Sequence, residues 1–314
     1  MEFVAPQHTE ELLTTYLSGS DLFRAIPFIR WRLVFDGRRR VSAALWRSVF
    51  GKTLREWVCV TGQSRCDGCL LRKRCAYPRW FEPIAPNTPA PLGVSDSPPM
   101  PYTLFVPPSE DTVLEITVFG ATAMADSALL LSVIERAARN GIGKARQQLN
   151  LLSAEAFLCS EARAFLPDGF TASPLPASFF SKENGVAIEL QSPLRLQTKG
   201  KVMTEQTFSA EDFIRALLRR ITLLHWVYGI GSLSPVPLAA IEDVHLSSEH
   251  LSWQVGERYS ARQAKLVPLD GLIGTFTLLG SGIQTLMPWL EIGQWTQTGK
   301  ATTQGLGKYA LIDP

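Results

Sequence analysis

Apolar and polar side chains alternate along residues 28–35, where Arg30 and Arg32 separate bulky apolar residues. This period of two predicts a half-buried β-strand. Apolar residues then recur at helical spacing over 41–58, so we expect a helix that begins near Ser42. The chain therefore opens its first folded part with a strand followed by a helix.

The same two periods continue to the end of the chain. Further strands are predicted at 101–108, 112–119, 148–152, 185–196, 258–265, 269–278 and 309–312, and further helices at 10–17, 127–140, 210–228 and in the apolar segment before 293. His245 and His250 flank an apparent turn. The repeated order strand, helix, strand, strand, helix, strand predicts an α+β protein with two tandem ferredoxin-like domains.

The length of 314 residues suits two domains better than one compact core. We place them at 1–165 and 185–314, because the stretch 166–183 is loop-like. The proline-rich stretch 83–101 is interpreted as an extended connector within the first domain.

The composition is 46% apolar, and the net charge is only +2, so any path for a polyanion must be local. The amino terminus shows no secretory signal, and no apolar run is long enough to cross a membrane. We therefore expect a cytoplasmic protein without a membrane partner.

Two glycine-rich loops carry cations. The second precedes the last strand and contains Gly299, Lys300, Gly305, Gly307 and Lys308, and the first follows the helix at 127–140 and contains Gly143, Lys144 and Arg146. Glycines let backbone amides approach a phosphate, and lysines add charge without reading bases. The loops predict a phosphate-rich partner.

The carboxy-terminal order of basic strand, glycine-bearing strand, helix and glycine-rich loop resembles the CRISPR-associated RAMP endoribonucleases that process repeat RNA. The phrase Ser192-Pro-Leu-Arg-Leu196 with Lys199-Gly-Lys201 resembles the start of that family's second domain. The resemblance implies tandem ferredoxin-like (RRM-like) domains and binding of CRISPR repeat RNA and crRNA. It also implies other CRISPR-associated subunits of an effector complex as partners.

In that family the loop after the first strand often carries a catalytic histidine, but no histidine lies between Asp21 and Trp80 here. Arg38, Arg39 and Arg40 occupy the position instead, and arginine-dependent members of type IV systems make them our catalytic candidates. The resemblance implies metal-independent attack by a 2′-hydroxyl that leaves a 2′,3′-cyclic phosphate. The predicted RNA contacts are Arg30, Arg32, Gly143, Lys144, Arg146, Arg262, Lys265, Gly299, Lys300, Gly305, Gly307 and Lys308.

Four cysteines, Cys59, Cys66, Cys69 and Cys75, lie within one short stretch. Such spacing without a secretory signal favours a metal over disulfides. Our first choice is structural zinc in an insertion at about 57–83, and an iron–sulfur cluster is the alternative. Catalysis itself requires no cofactor in this scheme.

Two other functions stay open. The missing loop histidine favours a catalytically inactive RAMP subunit that binds and caps the crRNA hairpin. The cysteine cluster allows a non-CRISPR metal-binding module in which the metal is the functional centre.

Overall fold

The computed structural model describes residues 19–38, 40–91, 97–158, 160–175, 185–233, 236–260 and 265–312. The helix predicted at 10–17 lies outside these residues. Within them, no helix is both long and apolar enough to span a membrane.

The first sheet and its helices follow the predicted order. In chain order they are α1 (Gly19–Ala25), β1 (Phe28–Phe35), α2 (Ala43–Val58), α3 (Ala76–Phe81), β2 (Tyr102–Phe105), β3 (Thr112–Phe119), α4 (Ala121–Ala125), α5 (Ser127–Arg139), β4 (Leu151–Leu158) and β5 (Ala172–Pro174). The strand order is β2-β3-β1-β4-β5. Without the parallel edge strand β5, this is the order of the ferredoxin-like unit, with α2 and α5 in its two crossovers.

The alternation in β1 sets the two faces of this sheet. Trp31 is fully buried in the core beneath the helices, and its Nε1 donates to Ser127 Oγ at 3.2 Å, which ties the start of α5 to the sheet. Arg30 and Arg32 project from the opposite face because successive strand residues alternate. The observed bounds of β1, Phe28–Phe35, are those predicted from the alternation at 28–35.

The second sheet is built in the same way. Its part of the chain contains β6 (Gly185–Leu194), β7 (Gln197–Thr198), β8 (Lys201–Val202), α6 (Ala210–Tyr228), α7 (Leu238–Glu242), β9 (His245–Gln254), β10 (Glu257–Ser260), β11 (Lys265–Pro268), β12 (Gly271–Leu279), α8 (Ile283–Thr296) and β13 (Tyr309–Ile312). The order β13-β6-β12-β9 is again that of a ferredoxin-like unit, here with α6 and α8 in the crossovers. Two small hairpins, β7-β8 and β10-β11, extend from it.

Three sequence predictions were inaccurate, two in the second sheet and one in the first. His245 and His250 lie on β9, an exposed strand, and do not flank a turn. The basic strand predicted at 258–265 is a hairpin formed by β10 and β11. In the first sheet, the strand predicted at 148–152 begins later, as β4 at Leu151.

The two sheets share apolar contacts. Leu22 of α1, Phe28 and Phe119 are fully buried in the same core as the second sheet and its helices. The ring of Phe28 lies 6.1 Å from that of Trp295 in α8. Leu22 and Phe28 thus pack in the core of the second sheet although they lie just before and at the start of β1 in the first sheet. The division at 1–165 and 185–314 stays a prediction.

Candidate nucleic-acid interface

The loop before α2 is anchored at both ends. The Asp36 carboxylate accepts hydrogen bonds from the Asn150 backbone amide at 2.9 Å and its side-chain amide at 2.7 Å, and the backbone amide lowers the pKa of Asp36. Ser42 caps α2 by accepting a hydrogen bond from the amide of Leu45 at 3.3 Å. The predicted arginine triplet lies on the short loop between these anchors.

Of that triplet, Arg38 and Arg40 are exposed, and Arg39 lies outside the described residues. Arg40 Nη2 donates to the carbonyl of Val106, just after β2, at 2.8 Å. This bond holds the Arg40 guanidinium at the end of the first sheet and leaves its remaining donors available.

The second glycine-rich loop, 297–308, runs from α8 to β13 and requires glycine at two positions. Gly305 has φ +94°, and an added Cβ would lie 2.5 Å from Cβ of Ala43. At Gly307 φ is +76°, and a Cβ would lie 1.8 Å from the carbonyl oxygen of Thr298. These contacts fix the loop against the first turn of α2.

Several backbone amides of this loop are already used within the protein. The amide of Lys300 donates to Arg195 O at 2.9 Å, and that of Gly307 donates to Pro193 O at 2.9 Å. The amide of Gly305 donates to Thr302 O at 3.2 Å. The amides of Gly305 and Gly307 therefore already have acceptors within the protein and these two glycines shape the loop, while RNA binding by the loop stays a prediction.

Two arginines that sequence reasoning did not select meet at this loop. Arg47 of α2 donates from Nε to Thr303 Oγ1 at 3.2 Å, and Arg258 of β10 donates to the side-chain oxygen of Gln304. Burial lowers the pKa of Arg258, and the charge of Arg47 lowers it further, which shows that the two guanidiniums are close. No pattern in the sequence marked Arg47, because it is one polar residue on an amphipathic helix.

We call Arg47 and Arg258, together with Arg40 on the loop that leads into α2, the arginine cluster. Their hydrogen bonds go to neutral acceptors, and among the described residues none of the three is in an ion pair with a carboxylate. Guanidinium groups remain protonated at neutral pH and suit the bidentate binding of phosphates. The cluster can therefore hold a phosphate group and stabilise negative charge that develops on it.

The first glycine-rich loop approaches the same helix. A Cβ on Gly143 would lie 3.9 Å from Leu45 Cδ1 of α2, and the loop is closed by a bridge between Ile142 and Gln147. Lys144 and Arg146 are exposed. The fold thus brings both predicted loops to the first turns of α2, although 160 residues separate them along the chain.

Other predicted contacts lie between the two sheets, in a region we call the sheet junction, which is formed by Arg30, Glu115, Trp295 and Lys308. Arg30 forms an ion pair with Glu115, and Lys308 is only 9% exposed and donates to the carbonyl of Gln294 at 2.6 Å. Burial, aided by Arg30, lowers the pKa of Lys308 to about 7. The sequence analysis predicted Arg30 and Lys308 as RNA contacts, but in this structure neither side chain is an open surface cation.

The remaining predicted contacts differ in exposure. Arg32 and Lys300 are exposed. Arg262 lies outside the described residues, and Lys265 begins β11. Lys300 therefore stands at the surface of the same loop that buries Lys308.

The four cysteines surround one cavity of about 350 Å³ at the end of α2 and the start of α3. Sγ of Cys59 and Sγ of Cys69 each lie 3.8 Å from the Thr61 hydroxyl. All four cysteines carry free thiols. The donor types suit zinc, but the described residues do not assemble three or more ligands at metal-binding geometry, so the metal stays a prediction.

Comparisons with known proteins agree with this architecture. Residues 188–309 match the model of the family described as CRISPR-associated endoribonuclease Cas6, and residues 39–165 match a family model described as an N-terminal domain. No curated protein matches the sequence.

Solved Cas6 structures share the fold at low identity. A Cas6 product complex has a TM-score of 0.53 at 13% identity, covering 91% of this chain and 100% of that one. A second Cas6 product complex has a TM-score of 0.51 at 13% identity, with the same coverage. The Cas6 of Thermus thermophilus has a TM-score of 0.50 at 14% identity, covering 92% and 98%.

Proposed function

We propose that this chain, whose residues 188–309 match the family model of CRISPR-associated endoribonuclease Cas6, cuts CRISPR repeat RNA and stays bound to the product hairpin. The observation that carries the proposal is the arginine cluster beside the second glycine-rich loop. The guanidiniums of Arg47 and Arg258 meet there on neutral acceptors, and Arg40, on the loop that leads into α2, bonds to the carbonyl of Val106. An RNA phosphate is the ligand that such a group best fits.

The proposed reaction uses the RNA's own hydroxyl. The 2′-oxygen attacks the adjacent phosphorus, the bond from phosphorus to the 5′-oxygen breaks, and the products are a 2′,3′-cyclic phosphate and a 5′-hydroxyl. The protein must hold the 2′-oxygen in line, neutralise the phosphoryl oxygens and allow a proton to reach the leaving oxygen. The step requires no metal.

In the proposed mechanism Arg47 and Arg258 neutralise the phosphoryl oxygens, and their hydrogen bonds to Thr303 and Gln304, which hold both side chains at the loop, support this role. The predicted catalytic residues Arg38 and Arg40 lie on the loop that leads into α2 and extend the same positive surface. The arginine side chain stays protonated at neutral pH, so it is a poor general base. In this mechanism the arginines position the phosphate and stabilise charge, so we expect slow cutting with the product retained.

The test is incubation of purified protein with end-labelled repeat RNA in excess EDTA. We expect one discrete cut that ends in a cyclic phosphate and disappears when the nucleotide before the cut is 2′-deoxy. Cutting that survives the deoxy substitution would refute the mechanism.

A capping subunit is the second candidate. No histidine is present in the loop before α2, which favours binding without cleavage. Tight binding of an intact hairpin in the same assay would establish this function, with other CRISPR-associated subunits as its partners in an effector complex.

For the cysteine cavity we propose structural zinc held by Cys59, Cys66, Cys69 and Cys75, with an iron–sulfur cluster as the alternative. The four thiols line one cavity between two helix ends, where a metal would staple a small loop-rich segment. Metal analysis of the purified protein distinguishes the two. Chelation should lower the thermal stability while the cutting of prefolded protein continues; loss of cutting in step with the metal would favour the metal-centred module.

A further inference from the structure

A second basic surface lies where α6 faces the second glycine-rich loop. It is a cavity of about 650 Å³, and five cationic side chains line it: Lys199, Arg215, Arg219, Arg220 and Lys300. Among the described residues that line it, Asp212 is the single acidic one. The Asp212 carboxylate already accepts hydrogen bonds from the Ser209 hydroxyl at 2.7 Å and the Thr198 hydroxyl at 2.9 Å. The cavity is therefore strongly positive.

The sequence of α6 places its arginines on this side. Ser209 caps the helix by accepting a hydrogen bond from the amide of Asp212 at 3.1 Å, and Leu217, Ile221 and Leu224 are fully buried in the core. With that face fixed inward, the helical period turns positions 215, 219 and 220 toward the cavity. Arg215 is partly neutralised by Glu211 one turn earlier, whereas Arg219 is in no ion pair among the described residues.

Arg220 adds a buried donor without a hydrogen-bond partner to the wall of the cavity. Its Nε donates to the carbonyl of Thr296 at 3.3 Å, but Nη2 is buried and has no hydrogen-bond partner among the described residues. Burial lowers the pKa of Arg220 to about 10, so the group remains charged at neutral pH. A buried donor without an acceptor costs about 1–3 kcal/mol, and a bound phosphate oxygen would remove that cost.

The cavity and the arginine cluster share one residue of the second glycine-rich loop. Thr303 lines the cavity and also accepts the hydrogen bond from Arg47 of the cluster. Lys300 precedes Thr303 by three residues, so their Cα atoms are at most about 11 Å apart. One nucleic-acid strand can therefore contact both places.

We propose that this cavity is a phosphate-binding subsite for the RNA backbone next to the cut site. The inference rests on the proposed function, and it extends the RNA path from the arginine cluster across Lys300 to α6. Because its cations face phosphates and not base edges, the subsite contributes affinity without sequence preference.

The test measures the affinity for a 30-nucleotide oligouridylate as a function of NaCl concentration. We compare the wild type with the double variant Arg215→Gln/Arg219→Gln. The matched control is Arg136→Gln/Arg139→Gln on α5, where Arg139 pairs with Glu135 one turn earlier as Arg215 does with Glu211. Each lost phosphate contact should reduce the slope of log affinity against log salt by about 0.7.

We expect the slope of log affinity against log salt to be smaller by about 1.4 in the α6 variant and to stay at the wild-type value in the α5 control. Equal slopes in both variants, or a wild type that does not bind oligouridylate, would overturn the subsite. The EDTA cleavage assay on wild-type protein reports the proposed function separately. Salt-sensitive binding through α6 by a protein that leaves repeat RNA intact would refute the endonuclease and retain the subsite.

Discussion

The arginine cluster and the sheet junction both collect cations beside the same glycine-rich loop, but their surroundings are opposite. In the junction, Arg30 is ion-paired with Glu115, and Lys308 is buried against Trp295 at 4.8 Å from the ring centroid. In the cluster, Arg47 and Arg258 bond only to neutral side chains. Cations that the fold buries need a carboxylate or a ring, whereas cations that serve an anionic ligand must keep donors free.

From this difference we expect variants of the junction to lower the stability and variants of the cluster to impair RNA cleavage. A lysine in a glycine-rich loop has the same appearance in the sequence in both cases. Lys300 and Lys308 lie eight residues apart, yet one is exposed and the other is buried. Variants of the sheet junction should therefore change the free energy of unfolding, whereas variants of the arginine cluster should change RNA cleavage.

The largest effect should come from breaking the junction. Glu115→Gln leaves the buried Arg30 guanidinium without its counter-charge, and we expect the free energy of unfolding to fall by about 3–5 kcal/mol. Urea unfolding measures this loss. The matched control is Glu135→Gln, which removes the exposed pair with Arg139 and should cost at most about 0.5 kcal/mol. Equal losses in the two variants would mean that the junction is not a buried ion pair.

Variants of the arginine cluster should lower the rate of RNA cleavage and leave the free energy of unfolding nearly unchanged. Arg47→Ala removes a donor that binds the phosphate in the proposed mechanism, and we expect the cleavage rate at saturating RNA to fall about 100-fold. Single-turnover cleavage of repeat RNA measures it. Lys52→Ala serves as control, because Lys52 is an exposed cation on the same helix. A rate unchanged by Arg47→Ala would exclude the cluster from the chemistry.

Lys308 should make stability depend on pH. Its folded-state pKa is lowered to about 7 from an ordinary value of 10.5, so between these values the unfolded chain binds the extra proton. The wild type should therefore gain stability as the pH rises from 7 toward 10, by up to a few kcal/mol. In Lys308→Met the free energy of unfolding, measured with urea at pH 7 and pH 9, should change less between the two pH values than in the wild type. Parallel pH profiles would show that Lys308 stays charged in the fold.

The smallest expected effect is a difference between Lys300 and Lys308 in the salt dependence of RNA binding. Lys300→Gln should reduce the salt slope of oligouridylate binding by about 0.7, since it removes one exposed phosphate contact. Lys308→Met should leave the slope at the wild-type value. A slope reduced equally by both changes would return Lys308 to the RNA surface.

Periodic segments were predictable from the sequence. The bounds of β1 and α6 and the start of α2 follow from hydrophobic spacing and from the caps Ser42 and Ser209. β9 was missed because most of its residues are exposed and polar, and a register shift opposite Thr277 interrupts its alternation. A strand with one solvated face and a bulge leaves little signal in a single sequence.

The candidate site was only half predictable. The two basic loops were recognised from their glycines and lysines, but Arg47 and Arg258 became visible only through contacts with Thr303 and Gln304. Arg47 and Thr303 are 256 residues apart in the chain. No local pattern encodes such a pairing, since it depends on how the two sheets pack.

The sequence by itself determined the α+β class, the repeated strand and helix order, the glycines that shape the second loop and the four clustered thiols. These depend on local conformation and on periods of two and 3.6 residues, which neighbouring residues set. Only the tertiary structure decided which cations are open, because burial and counter-charges come from distant elements. It paired Arg30 with Glu115, enclosed Lys308, and brought α2, β10 and α6 around one loop.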